Sequence, residues 1–168
     1  MVAGRRSFWR ILWPLAACVC LAFVLPIFGQ NGAGDDMAVI VNSSNTVNDL
    51  RSSALRRVFQ GEQQHWNSKL PVYPLVHAPG SEERDAEMRL LFQMKESEYK
   101  KFWMEKTFRG GIVSTPTAVF SDGFAVEAVK AMPGAIACVK MSAIRPGVKV
   151  LRIDGSLPGN SDYPLHLH

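Results

Sequence analysis

Ser81 is the residue in this sequence best placed to do chemistry. It follows Pro79-Gly80, a turn pair, and precedes Glu82, Glu83 and Arg84 where a helical pattern begins. A hydroxyl there has two uses. It can cap the helix by accepting an N–H of the first turn. It can also join exposed N–H groups and the helix dipole in holding an anion. Gly80 and Ser81 are therefore candidate anion-binding residues, with Arg84 offsetting one of the two carboxylates. Glu82 and Glu83 pull the other way, because acids in the first turn satisfy the helix dipole themselves. A second polar loop, Ser43-Ser44-Asn45-Thr46, follows an apolar run. If that run is a parallel strand, Ser43 and Ser44 share a ligand crevice with Ser81, beyond the carboxyl ends of the strands. Turn formation or capping is the plainer use of the same side chains.

Other reactive side chains form no constellation. His77 ends an apolar run and faces the same rim, and His65 stands beside Trp66 in a loop. No set of His, Cys, Asp and Glu has metal-ligand spacing. His166-Leu167-His168 resembles a metal tract only in composition and reads as a solvated tail. Cys138 lies within Ala135-Ile136-Ala137-Cys138-Val139, where a small buried core residue is the natural reading. There is no Gly-x-Ser-x-Gly, no phosphate-cradling Gly-x-x-x-x-Gly-Lys loop and no dinucleotide fingerprint. No base stands at a recognisable spacing from Ser81. The sequence nominates no catalytic residue and no cofactor, and a binding module is the expectation.

The elements that carry these residues alternate between strand and helix. Met37-Ala38-Val39-Ile40-Val41 is a continuous apolar run, the pattern of a strand buried on both faces. Leu50, Leu55, Val58 and Phe59 fall on one helical face, with Gly61 as the stop. Val72 to Val76 predicts a second strand, and Pro74 within it predicts an edge position or an imperfect ladder. A helix is expected to start within two residues of Ser81, and another to run from Ser97 towards Lys106. Gly110-Gly111 break the chain. Tyr99, Phe102 and Trp103 on that second helix read as core packing or as an exposed docking patch. Ala118-Val119-Phe120 is a short strand, and Phe124 to Ala131 is a helix closed by Pro133-Gly134. Strands over Ala135–Val139 and Val148–Ile153 complete an α/β domain with a mixed, mostly parallel sheet flanked by helices.

Charge and address narrow the setting. Of 19 Lys and Arg, Arg5, Arg6 and Arg10 lie at the N-terminus, and the rest of the chain carries 16 against 15 acids. A domain so near neutrality has no broad electrostatic footprint for nucleic acid. The three arginines precede an apolar run from Ile11 to Phe28, the pattern of an export signal cleaved near Gly29 or Ala33. The run is also long enough for an uncleaved membrane anchor. Leu15-Ala16-Ala17-Cys18 resembles a bacterial lipobox, a third option. All three place the domain outside the cytoplasm, with membrane contact through the N-terminal segment alone. The expected organisation is a signal or anchor over residues 1–30, a linker over 31–36, a domain over 37–155 and a flexible tail over 156–168.

Taken in order, several segments resemble one known family. They are Val39-Ile40-Val41-Asn42, then Leu55-Arg56-Arg57-Val58-Phe59-Gln60-Gly61, then Trp66. Leu70 to Leu75 with Gly80-Ser81, and finally Pro133-Gly134-Ala135-Ile136, continue the series. The pattern resembles the phosphate-binding subunits of ABC transporters, within the type 2 periplasmic binding proteins, over roughly Val39 to Ile153. That resemblance implies a single periplasmic-binding-protein-like lobe, since the matched segments all belong to the second half of a two-lobed clamshell. It implies phosphate or another small anion as ligand, and an ABC-transporter permease or another envelope protein as partner. The family's Gly-Ser-Gly-Thr loop reads Gly80-Ser81-Glu82-Glu83 here, so the Gly-Thr pair is replaced by two carboxylates. The alternative is a protein-interaction or sensing module of the envelope that keeps the fold without the ligand, its aromatic patch standing in for the missing lobe.

Overall fold

A computed structural model describes residues 36–67, 69–110 and 115–168. The export or anchor segment, with Cys18 and Cys20, lies outside the described residues, as does Gly111. The chain runs β1 (Met37–Asn42), β2 (Asp49–Leu50), α1 (Ser52–Phe59), β3 (Tyr73–His77) and α2 (Glu82–Glu87). A π-helical turn over Met88–Phe92 leads to α3 (Glu96–Arg109), β4 (Thr117–Val119) and α4 (Asp122–Ala131). Then come β5 (Ala135–Lys140), a 3₁₀ turn over Met141–Ala143, β6 (Val148–Val150) and β7 (Arg152–Ile153).

Five strands make one sheet in the order β4-β3-β5-β1-β6. β3 pairs in parallel with β4 and β5, while β1 is antiparallel to β5 and β6. Four strands therefore point one way and β1 points back, the mixed and mostly parallel sheet that the alternation predicts. β1 and β5 are interior, which is why both read as unbroken apolar runs. Their alternate residues feed two cores. Met37, Val39, Val41, Ile136 and Cys138 face α1, α2 and α3. Ile40, Ala135, Ala137 and Val139 face α4. Cys138 is a buried free thiol, as its setting suggests.

Pro74 lies in an interior strand. Tyr73 N–H donates to Gly134 O on the β5 side, so the next N–H position faces β4, and β4 pairs only from Leu75 onwards. The missing donor falls beyond the end of that ladder, which is therefore imperfect. α1 has no cap of its own. Asp154 supplies one from the far end of the chain, its carboxylate accepting from Ser52 N at 3.0 Å and meeting Ser52 Oγ. Gly61 ends the turn after α1 with φ +67°, where a Cβ would come within 2.9 Å of the Trp103 ring.

Three expectations need correction. The predicted strand Val148–Ile153 is two strands, because Leu151 turns inward and the chain changes partner from β1 to β2. The flexible tail over 156–168 is packed. Tyr163 is 1% exposed, Leu165 and Leu167 are buried, and the Tyr163 hydroxyl donates to Met37 O at 2.7 Å. Met37 N–H donates to Leu165 O, and Arg89 Nη2 to the carbonyls of His166 and Leu167. Tyr163, Leu165 and Leu167 alternate as a strand does, but Pro158, Gly159 and Pro164 disguise the period. Asp36, assigned to the linker, is also buried. It holds His166 Nδ1 at 2.7 Å and accepts from Gly159 N at 2.6 Å.

Tyr99, Phe102 and Trp103 of α3 belong to the core side. Phe59, Phe92, Tyr99, Trp103 and Phe102 meet edge to face in series. Trp103 is buried, so these rings are packing and not a docking patch.

Candidate functional site

The carboxyl ends of β3, β4 and β5 meet the first turns of α2 and α4 at one end of the sheet. His77 closes β3, and Ala78 N–H still donates to Val119 O of β4. The chain then turns through Pro79 and Gly80, whose φ of +93° suits a residue without Cβ. Ser81 starts α2 as the sequence predicts. Its hydroxyl accepts from Arg84 N at 3.1 Å and donates to Ala78 O at 3.1 Å, so both of its roles are taken.

Glu82 and Glu83 turn onto one cation. Lys140 Nζ, at the end of β5, lies 2.7 Å from Glu82 Oε2 and 3.0 Å from Glu83 Oε1. His168 Nε2 reaches the other Glu82 oxygen at 3.2 Å. The hydrogen bonds from Glu82 and Glu83 raise the Lys140 pKa. Burial works to raise the Glu83 carboxyl, but its backbone hydrogen bond and Lys140 prevail and hold it low. This loop is an ion cluster in which two carboxylates share one lysine.

Arg84 is engaged on the opposite side. Its guanidinium is buried, pairs with Glu96 through Nε at 2.9 Å and Nη2 at 3.3 Å, and lies 4.2 Å from the centre of the Tyr99 ring. It fastens α2 to α3 and does not lean over the Gly80-Ser81 turn. Ser43 and Ser44 do not join Ser81. Because β1 is antiparallel, its carboxyl end is level with the start of β5 at Ile136, whereas His77 is level with the end of β5. Five strand residues separate the two loops, roughly 16 Å. Ser44 caps Asn42 Oδ1 through N–H at 3.0 Å and hydroxyl at 2.7 Å, the turn role.

The residues that the sequence does not expose are Glu87 and Asp122, gathered around His77. His77 Nδ1 lies 2.9 Å from Glu87 Oε1, and Nε2 lies 3.1 Å from Asp122 Oδ1. The His77 backbone N–H donates to Glu87 Oε2 at 2.9 Å. Both ring nitrogens face carboxylates, which suits an imidazolium donating on both sides. Burial works to lower the His77 pKa, but the hydrogen bonds from Asp122 and Glu87 overcome it and lift the value to about 9. Asp122 Oδ1 also accepts from Lys140 N at 3.4 Å, so the two ionic groups join. One signal could have found Glu87: it stands four residues before Leu91, on the buried face of its helix. Asp122 reads only as an ordinary first-turn acid.

The imidazole has no free nitrogen to act as a base, and the Ser81 hydroxyl faces no base. Among the described residues no group of three His, Cys, Asp or Glu has the geometry to hold a metal ion. Phe120 and Phe124 stand exposed at the same end.

No family model matches the sequence, and no curated protein matches it. Solved structures do match. An ABC-type phosphate transport receptor from Vibrio cholerae superposes with a TM-score of 0.60 at 18% identity, covering 74% of this chain and 48% of the receptor. A phosphate ABC transporter substrate-binding protein with bound phosphate, from Clostridium perfringens, gives 0.61 at 20% identity, with 74% and 47% covered. PstS from Borrelia burgdorferi gives 0.62 at 17% identity, with 78% and 54% covered. The chain spans about half the length of these proteins and has the fold of that half.

Proposed function

We propose that the chain is a solute-binding-protein-like module of the cell envelope, built on one lobe of the phosphate-receptor fold, that acts by docking a protein and not by trapping phosphate. The observation that carries this reading is the ion cluster at the anion loop. Glu82 and Glu83 occupy Lys140, the half-buried cation at the end of β5, and place two negative charges at the helix start where an anion would sit. The exposed rings of Phe120 and Phe124 at the same end suit contact with a protein surface. An ABC-transporter permease or another envelope protein is the partner class that the fold suggests. The arginines and the apolar run before residue 30 support a place outside the cytoplasm.

A second reading is weak binding of phosphate or a related small anion, favoured by the surviving Gly80-Ser81 turn and by the phosphate named for the structural neighbours. Isothermal titration of the protein with phosphate separates the two. A single open lobe leaves an anion half solvated, and each charge-assisted hydrogen bond contributes at most about 1.5–3 kcal/mol. The docking reading expects a Kd of about 1 mM or weaker, near 4 kcal/mol. Micromolar binding by the unaltered protein would reverse the order of the two readings.

A further inference from the structure

The outward face of α3 carries an exposed apolar pair that the crevice end does not use. Phe108 is 86% exposed and Met104, one turn earlier, is 56% exposed. The inner face is spent on Tyr99, Phe102 and Trp103, and the outer pair stands clear of the core among the described residues. Its surroundings carry an excess of cations. Along α3 the exposed charged side chains are Lys100, Lys101 and Arg109 against Glu98 and Glu105. Glu105 lies 3.8 Å from Lys101 and 3.7 Å from Arg109, both contacts at the surface. Lys106 turns inward over the Phe102 and Trp103 rings and bonds Gln60 O, so it does not belong to this face.

We propose that this face of α3 rests on an anionic membrane surface. Met104 and Phe108 enter the headgroup boundary, and Lys100, Lys101 and Arg109 meet lipid phosphates. Large apolar side chains bordered by cations on one side of a helix are the composition of an interfacial contact. A local excess of positive charge on a domain that is otherwise near neutral is complementary to anionic lipid. The apolar run before residue 30, read as an export signal or an anchor, puts the domain beside a membrane at some stage.

The test uses the full chain with vesicles of phosphatidylcholine, with and without phosphatidylglycerol. Oxidation of Met104 by hydrogen peroxide is followed by peptide mass spectrometry, with Met141 as the internal reference. A thioether held at the headgroup boundary meets the oxidant more slowly than one in water. The expected result is Met104 oxidation slowed several-fold by phosphatidylglycerol vesicles and restored by high salt. The double variant Lys100→Glu/Lys101→Glu should lose that protection while keeping its melting temperature, and Phe108→Ser should weaken it. Equal Met104 oxidation in both vesicle types would overturn the proposal, whether both are fast or both are slow. Fast oxidation in both would leave the face to a protein partner. Slow oxidation in both would assign the shielding to the N-terminal segment, because it would not depend on lipid charge.

Discussion

Replacing His77 with Gln tests whether the buried imidazolium holds this end of the lobe together. His77, the last residue of β3, is fixed from two other elements: Glu87 on α2, which meets both its ring and its backbone N–H, and Asp122 on α4. Lys140, at the end of β5, joins through Asp122. The folded pKa of about 9 lies above the ordinary 6.5, so folding takes up a proton. The resulting stabilisation is complete below about pH 6.5 and is lost as pH rises through about 9. The rise from 6.5 to about 9 corresponds to about 3.5 kcal/mol, at about 1.4 kcal/mol per pH unit. His77→Gln removes that charge and leaves Glu87 buried without a cation, a loss of about 3–5 kcal/mol near neutrality. Urea unfolding of both proteins at steps from about pH 6 to about pH 10 gives the two curves. The parent should lose about 3.5 kcal/mol more than the variant across that range, and the curves should converge at the alkaline end. Parallel curves would refute the reasoning, since a neutral His77 contributes no such slope.

Four other outcomes follow from the same structure. Leu165→Ala should lower stability by about 2–5 kcal/mol, as truncation of a core residue does, and an unchanged melting temperature would show the tail to be unpacked after all. Gly134→Ala would put a Cβ 2.0 Å from Pro71 O, a backbone atom that cannot swing aside, so expression of soluble protein or its melting temperature should fall sharply. Glu82→Gly/Glu83→Thr frees Lys140 and restores the loop of the phosphate-binding family. Calorimetry should then show tighter phosphate binding, and a folded double variant without it would remove the loop as a latent anion site. Alkaline phosphatase fused after residue 36 should be active in a bacterial host, and an inactive fusion beside an active cytoplasmic reporter would reject export.

The fold was legible where hydrophobic period and turn chemistry agree. β1 and β5 announce themselves as apolar runs because both are interior. α2 starts where a glycine turn, a hydroxyl cap and first-turn acids coincide. The direction of β1 was not legible. A strand's own residues carry no mark of whether its neighbour runs with it or against it, and that single reversal moved Ser43 and Ser44 to the far end of the sheet. The tail was missed because Pro158 and Gly159 precede its three inward side chains and Pro164 interrupts them. At the candidate site, Ser81 was readable as a cap, and the opposition of Glu82 and Glu83 to an anion was readable from charge alone. Their common partner Lys140 was not, because 57 residues separate Lys140 from Glu83. The His77 cluster was hidden for the same reason. Its three members come from three elements, and each looks ordinary within its own.

The segments that carry the family resemblance do structural work in this chain, and that limits what the resemblance says about a ligand. Asn42, at the end of β1, donates through Nδ2 to Val129 O at 2.9 Å and Lys130 O at 2.8 Å, tying the strand to the last turn of α4. Trp66 donates its indole N–H to Gly134 O at 3.0 Å, so the tryptophan and the Pro-Gly segment hold each other. Gly134 lies so close to Pro71 O that only a residue without Cβ fits there. Leu55, Val58 and Phe59 fill the core under β1. None of these side chains lies in the Gly80-Ser81 turn. A sequence can therefore keep every one of them, and hence the lobe, while its loop drifts from a Gly-Thr pair to two carboxylates. Fold and loop chemistry are under separate physical control here, and on the proposed reading residues 80–83 with Lys140 set what the lobe binds.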